Sequence, residues 1–505
     1  MPTATYQLVV DWNADGVFTA AGENITGRLL NCDWQRGRDF ASQLQGRSVA
    51  GELTARLDNR SGDYSSFLTT GPLYGSMLPG RKIKLRTTAP TAVDLWTGYL
   101  ETITPINDVK GYPQVELRGI GALGRINQQE VSVPMVTTML TGSVIGTILT
   151  RAGWAAADSS LSTGDTTIDR FWSDQVQTIL ALRKVEEAES GFIYEGASGN
   201  IIFHNRHRRM VTPYTTSQGT FTDGTGSLLY RGLNQEDPLQ YIYNDFRASV
   251  QTYSTLATGT LWAMQATGTV RPQVLTGEAS TLWANYPNPT STIGAIGVDT
   301  WVTPTSTVDY KMFSDTDGTG TDLTTAISAA FTKFGNSMKM VFTNTGTIDC
   351  YVTLLQARGV ALLANDPVTI SKEDATSQTS YGQRRFPTEP AFIPNLSEAD
   401  NWCRFNLSVY KDPVPILTLT VDANRNSSLL TQVLIREISD RITVVATGSR
   451  AKLGIGEDFF VETMHHHLAK GNIHTVTYSL SQAKGYSDFW VLDFAALGTQ
   501  TRLAY

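Results

Sequence analysis

Cysteine is scarce in this chain: Cys32, Cys350 and Cys403 are the only three in 505 residues. They stand too far apart for a disulfide framework or a C-x-x-C zinc site, and read as buried free thiols. Charge is thin as well. Asp, Glu, Lys and Arg make up 17% of the residues, and the formal net charge of -7 leaves no basic field to hold nucleic acid. No apolar run reaches the roughly 18 residues of a spanning helix, so no membrane anchor is expected. The start, Met1 to Thr5, lacks the basic and apolar parts of a signal peptide, which points to synthesis and folding in a cytoplasm. Catalytic signatures are missing too: there is no Gly-x-Ser-x-Gly elbow, no Walker loop and no plausible Cys/His pair. Carboxylates pair only as sequence neighbours, Glu186-Glu187 and Glu457-Asp458. Neighbours on a helix diverge by about 100° and do not converge on one substrate. An enzyme is not expected.

What is present is strand and turn chemistry. Within Gly46 to Tyr99, Leu53, Ala55 and Leu57 alternate with Glu52, Thr54 and Arg56, the period of a strand with one buried face. Asp58-Asn59 and Gly62-Asp63 close a turn, and Ile83 to Leu85 and Trp96 to Leu100 supply further strands. A small antiparallel barrel or sandwich is expected over residues 1–130. From Thr141 the period becomes helical, with Val144, Ile145, Ile148 and Leu149 on one face and Gly153 as the stop. A second helix is expected from Ser173 as N-cap to Glu189, with Val176, Ile179, Leu180, Arg183 and Glu187 along its face. A hairpin then completes a small α+β domain, 131–253. Residues 254–370 are dense in Thr, Gly and Pro and read as an inserted β-sandwich. A helix at 397–411, with a capping-box-like start at Ser397, and the strands after it form a second β domain, 371–485. The last stretch, 486–505, is an apolar tail.

Five constellations could carry chemistry. Asp11, Asn13 and Asp15, followed by Gly16, have the spacing of the first half of a calcium loop. The match then fails, because the twelfth position is Gly22 and Glu23 comes one place late; an Asx-rich hairpin turn is the competing reading. Calcium is the only cofactor the sequence suggests. The run His204 to Arg209 concentrates positive charge, and reads as a salt-bridged strand end before it reads as a phosphate patch. Arg36, Arg38 and Asp39 form a charged elbow that a structural salt bridge would explain. His465, His466 and His467 alternate faces on a strand, so they cannot all meet one metal, although His474 could join one of them. Trp262, Trp283 and Trp301 would suit a carbohydrate-binding face, against the ordinary reading of core tryptophans.

Read together, several motifs resemble the tail hub, the baseplate-hub-like minor tail protein, of long-tailed bacteriophages. They are Val10 to Phe18, Arg36 to Phe40, Gly51 to Ser66, Leu78 to Arg81 and Leu95 to Tyr99, with later support from Glu187 to Ile193, Tyr381 to Arg385, Tyr410 to Pro413, Phe460 to Glu462 and His474 to Leu480. The resemblance covers residues 1–250 and 375–505. It implies two tail-tube-like β-barrel domains per chain in a mainly β, multidomain protein. It also implies a homotrimeric ring offering six barrels to a sixfold tube at the distal end of the virion tail. The implied partners are the distal tail protein, the tape measure protein and fibre or tip proteins, with DNA passing transiently through the lumen. The alternative is a host-receptor module binding carbohydrate through the middle aromatics. Phe489, Trp490, Leu492 and Tyr505 are candidate interface residues, because this apolar tail follows the last clear strand.

Overall fold

The computed structural model describes the chain apart from residues 39–47, 108–110, 238, 265–270, 287–294, 388–389, 391–392, 394, 414, 449–451, 484–488, 491–501 and 504–505. Its largest element is one twelve-stranded sheet. Six strands come from the first quarter of the chain: β1 (Thr5–Val10), β2 (Leu29–Gly37), β3 (Glu52–Asp58), β4 (Lys82–Ala89), β5 (Val93–Ile106) and β6 (Gln114–Ile120). Six come from later: β7 (Thr220–Thr222), β8 (Gly232–Glu236), β9 (Ile416–Asp422), β10 (Arg441–Ala446), β11 (Ile455–Ala469) and β12 (Ile473–Gln482). In β3 the alternation does what it promised: Leu53, Ala55 and Leu57 are buried while Glu52 and Arg56 face water.

The strands run β1-β4-β5-β6-β3-β2-β11-β12-β9-β8, with β10 also on β11 and β7 on β10. The expectation of two closed barrels is therefore corrected, because among the described residues no sheet closes. Closing the first half would need β1 to pair with β2, but the outer edge of β2 is already taken by β11. Strand β11 is long enough to serve both halves. Its residues Thr463–Leu468 pair with Gly37–Cys32 of β2, and Ile455–Phe460 pair with Ala446–Arg441 of β10. Strand β12 covers its other edge. Alternation fixes which face is buried and leaves the choice of edge partner open.

Among the described residues there are six α-helices: α1 (Ala122–Asn127), α2 (Thr141–Arg151), α3 (Thr178–Glu189), α4 (Ala375–Tyr381), α5 (Leu396–Tyr410) and α6 (Ser427–Ile435). One apolar cluster unites both halves of the sheet, from Trp34, Leu53 and Trp96 to Val461 and Tyr478, with Leu429, Leu430, Val433 and Leu434 of α6. A second cluster lies among α1, α2 and α3, a 130–140/167–177 ladder and the 192–195/201–204 hairpin. Here Ser173 is not an N-cap. It pairs with Val133 in that ladder, and α3 starts five residues later at Thr178. The ladder wins over the local capping signal, and the buried face becomes Ala181, Leu182, Val185 and Ala188, with Leu180 exposed.

Between residues 253 and 364 two sheets enclose a third cluster. One is built around the fifteen-residue strand Cys350–Ala364; the other joins 279–285, 337–344 and 327–333. A fourth cluster, Phe246, Phe386, Trp402 and Cys403, seats α5 on the 245–250/368–373 ladder. Asn395, not Ser397, caps α5, its side chain accepting from the Glu398 amide at 2.9 Å. All three cysteines are free and buried.

Candidate functional site

The two half-sheets meet at Glu462, and the sequence bends the backbone to put it there. Glu462 sits at a register shift of β11, between Val461 and Thr463, just where the strand changes partner from β10 to β2. A bulge of this kind re-aims a side chain, and here it points a carboxylate inward. Gly37 makes the contact possible. Its φ of +118° is open to glycine, and a Cβ there would stand 2.2 Å from the Glu462 carbonyl.

Buried cations meet that carboxylate. Arg209 donates to it in a fork, Nη1 to Oε1 at 2.5 Å and Nη2 to Oε2 at 3.0 Å. Ser481 Oγ donates to Oε1 at 2.6 Å, and Arg38 Nε lies 3.6 Å from Oε2. Both guanidiniums lie over the ring of Phe192, 3.8 Å away for Arg38 and 4.6 Å for Arg209. Burial alone would raise the Glu462 carboxyl, but Arg209 and Arg38 outweigh it and hold it at about 2. Arg36 adds a forked pair to Glu437 at 2.8 and 3.0 Å and donates to the Glu195 carbonyl at 3.2 Å. Asp39, the third member of the charged elbow, lies outside the described residues.

Glu195 is the second buried tie. Its carboxylate accepts from the amides of Gly51 at 2.8 Å and Leu123 at 2.5 Å, linking the 192–195 strand to the approach to β3 and to α1. Gly121 leaves room for it, since a Cβ there would fall 1.9 Å from Oε2. Burial dominates and pushes this carboxyl up to about 7, against the pull of those amides and of Arg36.

The basic run is likewise a set of ties. Arg206 and Arg209 are buried, and Arg206 pairs with Glu398 at 3.2 Å and His207 with Asp165 at 3.0 Å. The histidine triplet divides as strand geometry requires. His466 turns inward, where its Nδ1 is 2.9 Å from His474 Nε2, and His474 Nδ1 is 2.7 Å from the Tyr6 hydroxyl. The Trp34 ring stacks on His466 with centroids 4.7 Å apart. Burial drives His474 down to about 3 and His466 well below its ordinary value, so both are neutral. His465 and His467 are exposed, and His467 meets Asp33 at 2.6 Å.

The other candidates scatter. Trp301 is buried and donates its indole N–H to the Phe334 carbonyl at 2.7 Å. Trp262 packs partly buried against the same core, and exposed Trp283 stacks on Phe334. The three rings do not form one exposed platform. Phe489 and Trp490 form a short parallel ladder with Arg502–Leu503, while Leu492 and Tyr505 lie outside the described residues. Asp11, Asn13 and Asp15 do come together in the loop after β1, where the Asp11 carboxylate accepts from the amides of Asp15 and Gly16. Glu462 and Glu195 went unnoticed as sites. The available signal for Glu462 was a carboxylate inside the apolar run Phe459 to Met464, where it interrupts the alternation.

No family model and no curated protein matches the chain. Solved structures do. The 43 kDa tail protein of prophage MuSo2 from Shewanella oneidensis aligns over 95% of this chain and 99% of its own, with TM-score 0.50 and 9% identity. A tail protein from Neisseria meningitidis MC58 aligns over 96% and 98%, also with TM-score 0.50 and 9% identity. The likeness is one of fold and extends nearly end to end.

Proposed function

We propose that this chain is a structural tail protein and not an enzyme: a hub whose three copies close into a ring at the distal end of the tail tube. The ring joins the tube to the tape measure, distal tail and fibre or tip proteins and leaves a channel for DNA to exit. The observation that carries this reading is the division of the large sheet into two six-stranded halves, β1–β6 and β7–β12, fused through β2 and β11. Two comparable halves per chain are what a threefold ring needs to meet a sixfold tube. The end-to-end likeness to two tail proteins supports the same reading.

The ring contact is heterologous and closes at three. The main path of the sheet ends at β1 and β8; among the described residues the outer edge of β8 carries no neighbouring strand, and that of β1 is covered at residues 8–10 by residues 23–26, leaving residues 5–7. Such edges favour pairing with another chain. Beside the segment that follows β1, where a Cβ on Gly22 would lie 3.7 Å from Leu73, the loop from Ser65 to Leu78 exposes Phe67, Tyr74 and Leu78, apolar area suited to a neighbouring copy. Negative-stain microscopy with mass measurement on the purified chain tests the proposal. Threefold rings with a central hole are expected, and Phe67→Ser with Tyr74→Ser should leave folded single chains. A chain that stays monomeric at high concentration and when supplied with tail tubes would overturn it.

A further inference from the structure

The loop between β1 and Ile25 folds three carboxylates onto one point. Strand β1 ends at Val10, and the chain turns through Asp11, Asp15 and Gly16 before coming back beside the strand it left. The Val10 amide donates to the Glu23 carbonyl at 2.9 Å, and Val9 bridges Asn24. That return pairing, not loop counting, sets the position of Glu23. One oxygen each of Asp11, Asp15 and Glu23 lies within 4.8 Å of the others. Oxygens on opposite sides of a calcium ion, each about 2.3–2.6 Å from it, stand at about that separation.

Glu23 adds an independent observation. It is 1% exposed, and its Oε2 accepts from the Ala20 amide at 2.8 Å. Its Oε1 is buried and has no hydrogen-bond partner. A buried carboxylate oxygen without a donor is costly, and the nearby groups make it worse, since Asp11 is also buried and acidic. None of the three carboxylates forms an ion pair among the described residues. A cation resolves the deficit where no side chain does. The donors are all hard oxygens, with no imidazole or thiolate, which selects calcium over zinc.

We propose that Asp11, Asp15 and Glu23 bind a calcium ion at the end of β1, with water completing the shell. The ion fixes the loop against the outermost strand of the large sheet. Trp12, buried beside Asp11, provides a reporter, because a neighbouring indole sensitises terbium luminescence. The test is terbium binding to the full chain, displacement by calcium chloride, and melting with calcium or with EDTA. Sensitised luminescence displaced by calcium, and a higher melting temperature with calcium, are expected. Glu23→Gln and the exposed Asp15→Asn should each weaken calcium binding by about tenfold or more; Asp15→Asn keeps the test sound if burying an amide at position 23 disturbs folding. No displaceable terbium signal, unchanged affinity in folded Asp15→Asn, or magnesium competing as well as calcium would each overturn the assignment.

Discussion

Glu462 and Glu195 are both almost fully buried and tie distant parts of the chain together, yet their carboxyls move in opposite directions. Glu462 meets the guanidiniums of Arg209 and Arg38 and is held at about 2. Glu195 meets mainly backbone amides and rises to about 7. The desolvation penalty is common to both, so the difference lies in the partners. A full charge in a forked, charge-assisted bond overcomes burial, whereas two or three peptide dipoles do not. The half-sheet junction is thus ionic at neutral pH, and the α+β attachment stands near its titration point.

The largest test removes the cation. Arg209→Leu should cost about 3–5 kcal/mol in chemical denaturation, because it leaves a buried carboxylate with only the more distant Arg38 and the neutral Ser481 hydroxyl. Glu462→Leu combined with Arg209→Met should cost much less than the sum of the single changes; additive costs would show that the two do not act as a pair. Next comes Glu195→Ala, expected to cost about 2–3 kcal/mol by leaving the Gly51 and Leu123 amides without their acceptor.

Acidity separates the two ties further. The Glu195 carboxyl is raised from 4.5 to about 7, so its contribution is full below pH 4.5 and is lost as pH rises through 7. Denaturation midpoints of Glu195→Gln should lack that decline. Glu462 is lowered, so its contribution is full above 4.5 and disappears as pH falls toward 2. His474, lowered from 6.5 to about 3, contributes fully above 6.5 and is lost as pH falls through 3. His474→Gln should reduce the acid slope by about one proton, read from stability measured across that range. The smallest effect is expected for Tyr6→Phe, which removes the hydroxyl bonded to His474 and should cost about 1 kcal/mol.

The strands of the first half were legible because Leu53, Ala55 and Leu57 alternate cleanly, and α2 because Val144, Ile145, Ile148 and Leu149 share a face. The joining of the two half-sheets was not legible. Nothing in Cys32 to Gly37 says that its partner is Thr463 to Leu468, more than 400 residues later in a chain of 505. Strands β7 and β8 were hidden for another reason: Thr220–Thr222 and Gly232–Glu236 are too short and polar to show a period, and tertiary pairing makes them strands. The start of α3 was misread because Ser173 is as good a cap as it is a strand residue. Glu23 was set aside by counting positions along a helix-flanked loop, a rule that a returning β-segment does not obey.

Strand β11 also governs how the chain is made. Synthesis delivers β2 first, with one edge waiting for residues 463–468. At about 5–20 residues per second, roughly 430 residues take about 20–90 s to follow. For that interval the first half carries a strand with one unpaired edge, in what will become the middle of a sheet, the kind of edge that recruits a wrong partner. The stitch that makes one sheet of two halves is among the last to be drawn, and the growing chain is most exposed to misassembly until it is.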